Sequence, residues 1–120
     1  METIKSYTDL EQSKKLAEIL PLESADMYYR EWKRMTEYIR IAHVGSADEK
    51  DLPCWSLAAL FDALPILDNR SPVIPKTFDG KYRVTYHSTA YEKAIITSDY
   101  DNPVDACYEM IMKLHELKML

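Results

Sequence analysis

Two cysteines and three histidines are the residues here with the most obvious capacity for chemistry. A nucleophilic Cys54 or Cys107 would need a base such as His87 or His115 and an exposed, electropositive setting that favours the thiolate. Neither has that setting. Cys54 stands between Pro53 and Trp55 at the start of an apolar run, and Cys107 falls on the most apolar arc of a helical wheel. Both read as structural thiols. Zinc would require ligands at spacings such as C-x-x-C or H-x-x-x-H, and no pair among Cys54, Cys107, His43, His87 and His115 has one. Carboxylates pair as Asp99 with Asp101, in a turn, and as Asp105 with Glu109, on a solvated helix strip. General acid–base work wants such groups in a cleft with shifted pKa values. The sequence therefore assigns no catalytic residue, no metal and no cofactor.

The aromatic residues carry a stronger signal. Nine tyrosines and two tryptophans are present, and tyrosine combines a large apolar ring with a polar tip that suits interfaces. It also suits the faces of antiparallel strands for purely structural reasons. The binding candidates are Trp32, Trp55, Tyr82 and Tyr86, together with Tyr108, Met112 and His115 on the last helix. That last flank either meets the rest of its own domain or forms a surface for a partner or a second copy. A pocket bounded by Trp55, Tyr86 and His115 would instead suit a small enzyme or an inhibitor of a host enzyme.

The elements that position these residues follow from period and punctuation. Thr8 and Glu11 form an S/T-x-x-E box ahead of an amphipathic helix over residues 9–20, ended by Pro21. Residues 26–44 show a helical period at Tyr28, Trp32, Met35, Ile39 and Ala42. Their aromatic and β-branched content favours a pair of strands around KRMTE instead. GSADEKD (45–51) reads as an exposed loop. LPCWSLAALFDALP reads as a short helix between Pro53 and Pro65, apolar nearly all round and hence buried or covered by a partner.

Further on, VIPKTFDGKYRVTYH reads as two strands joined at Asp79-Gly80, with the register open. A two-residue turn separates Ile74 and Phe78 from Tyr82, Val84 and Tyr86, whereas a loop of Asp79, Gly80 and Lys81 unites all five. A strand over 93–98 precedes the closing helix. There, Asp101 or Asn102 caps, Pro103 takes the first turn, and Asp105, Glu109, Lys113 and Glu116 form a polar strip about 80° wide. The remaining apolar arc is roughly twice what a surface helix needs.

Totals bound the function classes. At 120 residues the chain is one domain with room for a core. With Gly45 and Gly80 as its two glycines it cannot build a glycine-rich phosphate loop. A net charge of −5 disfavours a phosphate-backbone binder, and the local basic bias of Arg30, Lys33, Arg34 and Arg40 reads as a solvated segment. METIKSYTDLEQ lacks the apolar stretch of a signal peptide and no run is long enough for a membrane span, so a cytoplasmic protein with reduced thiols is expected.

The segments EQSKKLAEILPLESADMYY, LPCWSLAALFDALP and DNPVDACYEMIMKLHEL, in that order, resemble an uncharacterised family of small proteins encoded by phages, prophages and mobile elements of gut bacteria. The resemblance implies an α+β domain and a mobile-element setting, and it brings no activity, cofactor or catalytic residue. The expected fold is a single α+β domain, an antiparallel sheet of about four to five strands packed by three helices, with the second and third helices forming most of the core. The expected function is non-enzymatic binding or an adaptor role through protein contacts, with homodimerisation as one mode and neither nucleic acid nor membrane as a partner.

Overall fold

The computed structural model describes residues 4–120; Met1 to Thr3, part of the N-terminal stretch considered above, lie outside the described residues. Helix α1 spans Leu10–Ala17, strands β1 and β2 span Met27–Arg34 and Glu37–Val44, and β3 spans Leu52–Cys54. Helix α2 (Leu57–Ala63), strands β4 (Thr85–Tyr86) and β5 (Ile95–Ile96), and helix α3 (Pro103–Glu116) follow. The class is α+β. The strands do not join one sheet, however: β2-β1-β3 form one antiparallel sheet and β4-β5 a second.

Local chemistry explains most boundaries. Helix α1 is capped one residue later than the sequence pattern implies. The Asp9 carboxylate accepts from Gln12 N, and the Gln12 side chain accepts from Asp9 N, closing a reciprocal box. Thr8 is unavailable for capping because it is buried, accepting from the Trp55 backbone N–H at 3.1 Å and sharing a hydrogen bond with Ser13. In α3, Asn102 caps through Asp105 N at 2.8 Å and Pro103 occupies the first turn, as the DNPVDA stretch implies.

The strand reading of residues 26–44 holds. The two strands pair in unbroken register from Met27↔Val44 to Arg34↔Glu37, leaving Met35 and Thr36 as the turn. Met35 takes φ 55°, a left-handed conformation that a two-residue hairpin demands and that Gly or Asn adopts more easily. Met35→Gly is therefore expected to stabilise the hairpin by about 0.5–1 kcal/mol. Slower amide exchange at Trp32 and Ile39, the hydrogen-bonded pair next to the closing one, is the readout, because the tip can fray without global unfolding.

Pro53 does not start a helix. It lies in β3, opposite Tyr28, and α2 begins only after Ser56, whose hydroxyl accepts from Ala59 N. Gly45 N donates to Asp26 O at 2.9 Å, which fixes the hydrogen-bond phase of the sheet. Even-numbered β1 residues bond to β2 and odd-numbered ones to β3, so the missing N–H of Pro53 points away from β1 and costs nothing.

The 73–87 hairpin takes a third register. Val73↔Thr85 and Lys76↔Tyr82 bridge, and Thr77 N donates to Lys81 O, so the loop is Phe78, Asp79 and Gly80. Ile74 thereby joins Val84 on the core side, while Phe78 is left fully exposed in the loop.

The core centres on α3, which buries Val104, Ala106, Cys107, Met110, Ile111 and Leu114 completely. Around it stand Trp55, Leu60, Leu64, Leu67, Val84 and Tyr86, with Leu16 from α1. Helix α2 contributes less than its composition implies: Leu60 is its one buried residue, and Ala58, Phe61 and Asp62 face out.

Asp105 is the clearest departure from the wheel. Instead of facing water it receives Lys5 Nζ at 2.9 Å, Gln12 Nε2 at 2.8 Å and Asn102 Nδ2 at 2.9 Å, tying the N-terminal segment and α1 to α3. Burial would push its carboxyl pKa up, but these donors outweigh burial and hold it below its ordinary 3.8. Glu109 and Lys113 are likewise engaged, on Ser98 N and Ile96 O, rather than with each other.

A depressed carboxyl contributes stability that is complete above its unfolded pKa and lost as pH falls through the folded value. Asp105→Asn is therefore expected to lower stability at neutral pH and to flatten the acid limb of the stability–pH curve below about 4. Urea melts between pH 2 and 7 would show it, and an unchanged acid limb would contradict the role given to Asp105.

Candidate functional site

The candidate binding residues part company in the fold. Trp55 and Tyr86 are wholly buried. The indole Nε1 of Trp55 donates to Ser24 Oγ at 3.0 Å, and the Tyr86 hydroxyl donates to Pro65 O at 2.6 Å. Burial, with Cys107 nearby, pushes the Tyr86 phenol up to about 12. These two rings offer no surface to a ligand, so a pocket bounded by them and the exposed His115 is not formed. Tyr82 is half-buried under Lys76 Nζ, 5.7 Å from its ring centroid, and its backbone exchanges two 2.8 Å hydrogen bonds with Tyr100. Tyr108 is half-buried and packs on the core, and Met112 is half-buried while His115 is exposed. The wide apolar arc of α3 is thus largely covered by its own domain.

The thiols are inert by environment. Burial pushes Cys107 up to about 12, and burial likewise raises Cys54, which donates to Thr8 O and accepts from the Thr8 hydroxyl. Among the described residues, no three His, Cys, Asp or Glu side chains cluster closely enough to hold a metal ion. No helix among them is long and apolar enough to cross a membrane.

Trp32 is where the structure gives a surface. β3 pairs with Met27–Tyr29 only, so from Arg30 outwards β1 and β2 form a two-stranded arm with both edges open. The molecule measures 59 × 34 × 20 Å with a radius of gyration of 15.8 Å. A compact chain of this length would have roughly 14 Å.

An aromatic and ionic clasp stiffens its root. Arg30 donates from Nε and Nη2 to the two carboxylate oxygens of Asp51, at 3.0 and 2.9 Å, and its guanidinium lies 4.9 Å over the Tyr28 ring. Asp51, with its side chain 2% exposed, is held down to about 2 by Arg30 and by the Asp48 N–H. Tyr28 stacks on His43 at 5.3 Å, and Trp32 Nε1 donates to His43 Nε2 at 3.2 Å. Glu31 pairs with Arg40 across the strands at 3.7 Å, and Lys33 sits 5.9 Å over Tyr38. The basic bias of this segment is thus largely taken up by internal partners.

The arm also leaves apolar side chains free, beside the exposed charges of Lys33, Arg34 and Glu37. Trp32 is 46% exposed, Met35 90%, Tyr38 64% and Ile41 43%, and Val44, at the root of β2 opposite Met27, is 85% exposed. Sequence reading singled out Trp32 among these and passed over Tyr38, Ile41 and Val44. The exposure of Tyr38 and Ile41 follows from the arm having no layer on either face, which no local pattern encodes. A second open apolar surface lies on α2, where Leu57, Ala58 and Phe61 with Ile74 border a shallow groove of about 550 Å³.

Comparison with protein-family models, with curated proteins and with solved structures gave no match for this chain.

Proposed function

We propose that this chain is a non-enzymatic binding or adaptor protein that acts through protein contacts made by the β1–β2 arm. The observation that carries this reading is the arm itself. Five of the eight β1–β2 pairs, Arg30↔Ile41 to Arg34↔Glu37, project past β3, with Trp32, Tyr38 and Ile41 exposed and both strand edges open. An isolated hairpin is at best marginally stable in water. A fold that holds one out by an Arg30–Asp51 clasp and a Tyr28–His43–Trp32 stack keeps it pre-organised. Strand edges bind by adding a strand, with backbone hydrogen bonds giving affinity and alternate side chains giving specificity. Exposed Trp and Tyr are the side chains that most often anchor such contacts. Mobile-element proteins that act on other proteins would fit the setting implied by the sequence resemblance.

The test replaces Trp32, Tyr38 and Ile41 together by alanine, threonine and threonine, keeping strand propensity. The wild-type chain should retain a protein that rebinds as a purified component, with affinity at least tenfold weaker for the triple variant. An identical set of bound proteins for wild type and a folded triple variant would refute the arm as the binding surface. Near-ultraviolet circular dichroism reports folding through the buried Trp55.

A further inference from the structure

We propose that the open edge of β2 pairs antiparallel with β2 of a second copy of this chain, across a two-fold axis that sets Ile41 opposite Ile41. The inference deepens the arm reading above, on which it rests, by naming the partner.

β2 lacks most of the usual protections of an edge strand, and the one charge at its centre, Arg40, is paired to Glu31 on β1. Between Glu37 and Val44 there is no proline, no lysine and no bulge, and its register with β1 runs through eight successive pairs without a break. Gly45 N bonding to Asp26 O places the odd-numbered backbone groups of β2 on β1. The N–H and C=O groups of Tyr38, Arg40, Ala42 and Val44 therefore point out to the open edge.

Symmetry then restricts the register. Two copies related by an axis normal to the sheet keep their faces, so opposed residues have numbers of the same parity and one residue opposes itself. Centring on Arg40 sets arginine against arginine, which like charge opposes. Centring on Ile39 leaves Val44, the most exposed apolar side chain of the strand, beyond the end of the ladder. Centring on Ile41 uses the whole strand. Tyr38 meets Val44, an aromatic against a β-branched residue, Arg40 meets Ala42, and Ile39 meets His43. The four outward backbone positions of one copy face the same four of the other, and no like charges are opposed. The charges that could repel two arms are already offset, Arg30 by Asp51 and Asp48 and Arg40 by Glu31. The resulting sheet runs β3-β1-β2-β2-β1-β3 through both copies.

Sedimentation equilibrium on the full chain, across roughly 1–200 µM to span weak association, should show exchange between 14.0 kDa and twice that mass. Ile41→Arg and Ile41→Glu should each weaken association at least tenfold, and an equimolar mixture of the two should restore it. That rescue requires residue 41 to face residue 41. Ala42→Pro, which removes only an outward N–H, gives the same loss if either charged variant fails to fold. A wild-type chain that stays at 14.0 kDa throughout overturns the pairing, and the capture experiment above then decides separately whether the arm binds another protein. A dimer that persists in both Ile41→Glu and Ala42→Pro also overturns it, placing the contact elsewhere on the surface.

Discussion

Trp55→Ala is expected to lower the unfolding free energy by about 3–5 kcal/mol, the usual cost of removing a large buried ring and leaving a cavity. Trp55 is 0% exposed and belongs to the cluster around α3. Its backbone also joins the N-terminal segment to the start of α2: Thr8 N donates to Trp55 O at 2.9 Å and Trp55 N donates to the Thr8 hydroxyl at 3.1 Å. Truncation therefore empties space beside both, and Ser24 Oγ loses the indole N–H that it accepts. Domains of this size are typically stable by only 5–15 kcal/mol, so the loss is a large share of the total. Urea denaturation measures it. Trp55→Phe should lose clearly less, because a six-membered ring still fills most of the space, although the rest of the indole and its N–H go. A loss under about 1 kcal/mol for Trp55→Ala would mean the ring is not packed as described.

The second large effect is assigned to Arg70, which sequence reading did not single out. It is 6% exposed, and it donates from Nη1 to His87 O and Lys93 O, both at 3.0 Å, and from Nε to Leu67 O at 3.4 Å. Carbonyl oxygens, rather than a carboxylate, stabilise this buried guanidinium. The two Nη1 bonds hold together the ends of the exposed loop between β4 and β5. Arg70→Ala is expected to cost about 2–4 kcal/mol, from lost charge-assisted hydrogen bonds and the space left by a buried side chain. Arg70→Met keeps the length of the stem but not the bridge, so it should recover part of the global stability while the 87–94 loop still opens. Hydrogen exchange at Ile95 and Thr97 separates the two effects. Protection there that is unchanged in Arg70→Met would show that the guanidinium does not tether the loop.

The residue before Arg70 shows what local signals can carry. Leu67 and Arg70 close a tight turn by hydrogen bonds in both directions, at 3.0 and 2.7 Å, with Asp68 and Asn69 at φ 48° and 65°. Asp and Asn are among the residues that tolerate this left-handed pair, so the turn is legible in Asp68 and Asn69 themselves. The box at the start of α1 was also present, one residue away from where Thr8 and Glu11 suggested. Asp9 and Gln12 satisfy the same pattern, and only the burial of Thr8 beside Trp55 decides between the two readings.

By itself the sequence determined what depends on neighbours in the chain. The strand pair over 26–44 follows from its β-branched and aromatic content on either side of KRMTE. The start of α3 follows from Asn102 and Pro103, and the inert character of Cys54 and Cys107 follows from their apolar surroundings. Tertiary structure decided which faces are covered, because an apolar face encodes a need for cover without naming the layer that supplies it. Helix α3, which seemed to offer a spare flank at Tyr108 and Met112, is largely covered by its own domain, and its polar strip is spent on Lys5, Gln12, Ser98 and Ile96. The strands divide into two sheets, and the division leaves β1 and β2 projecting beyond β3 with no layer on either side. Tyr38 and Ile41 are exposed for that reason: they lie on opposite faces of the arm, and beyond Tyr29 neither face has a layer packed against it.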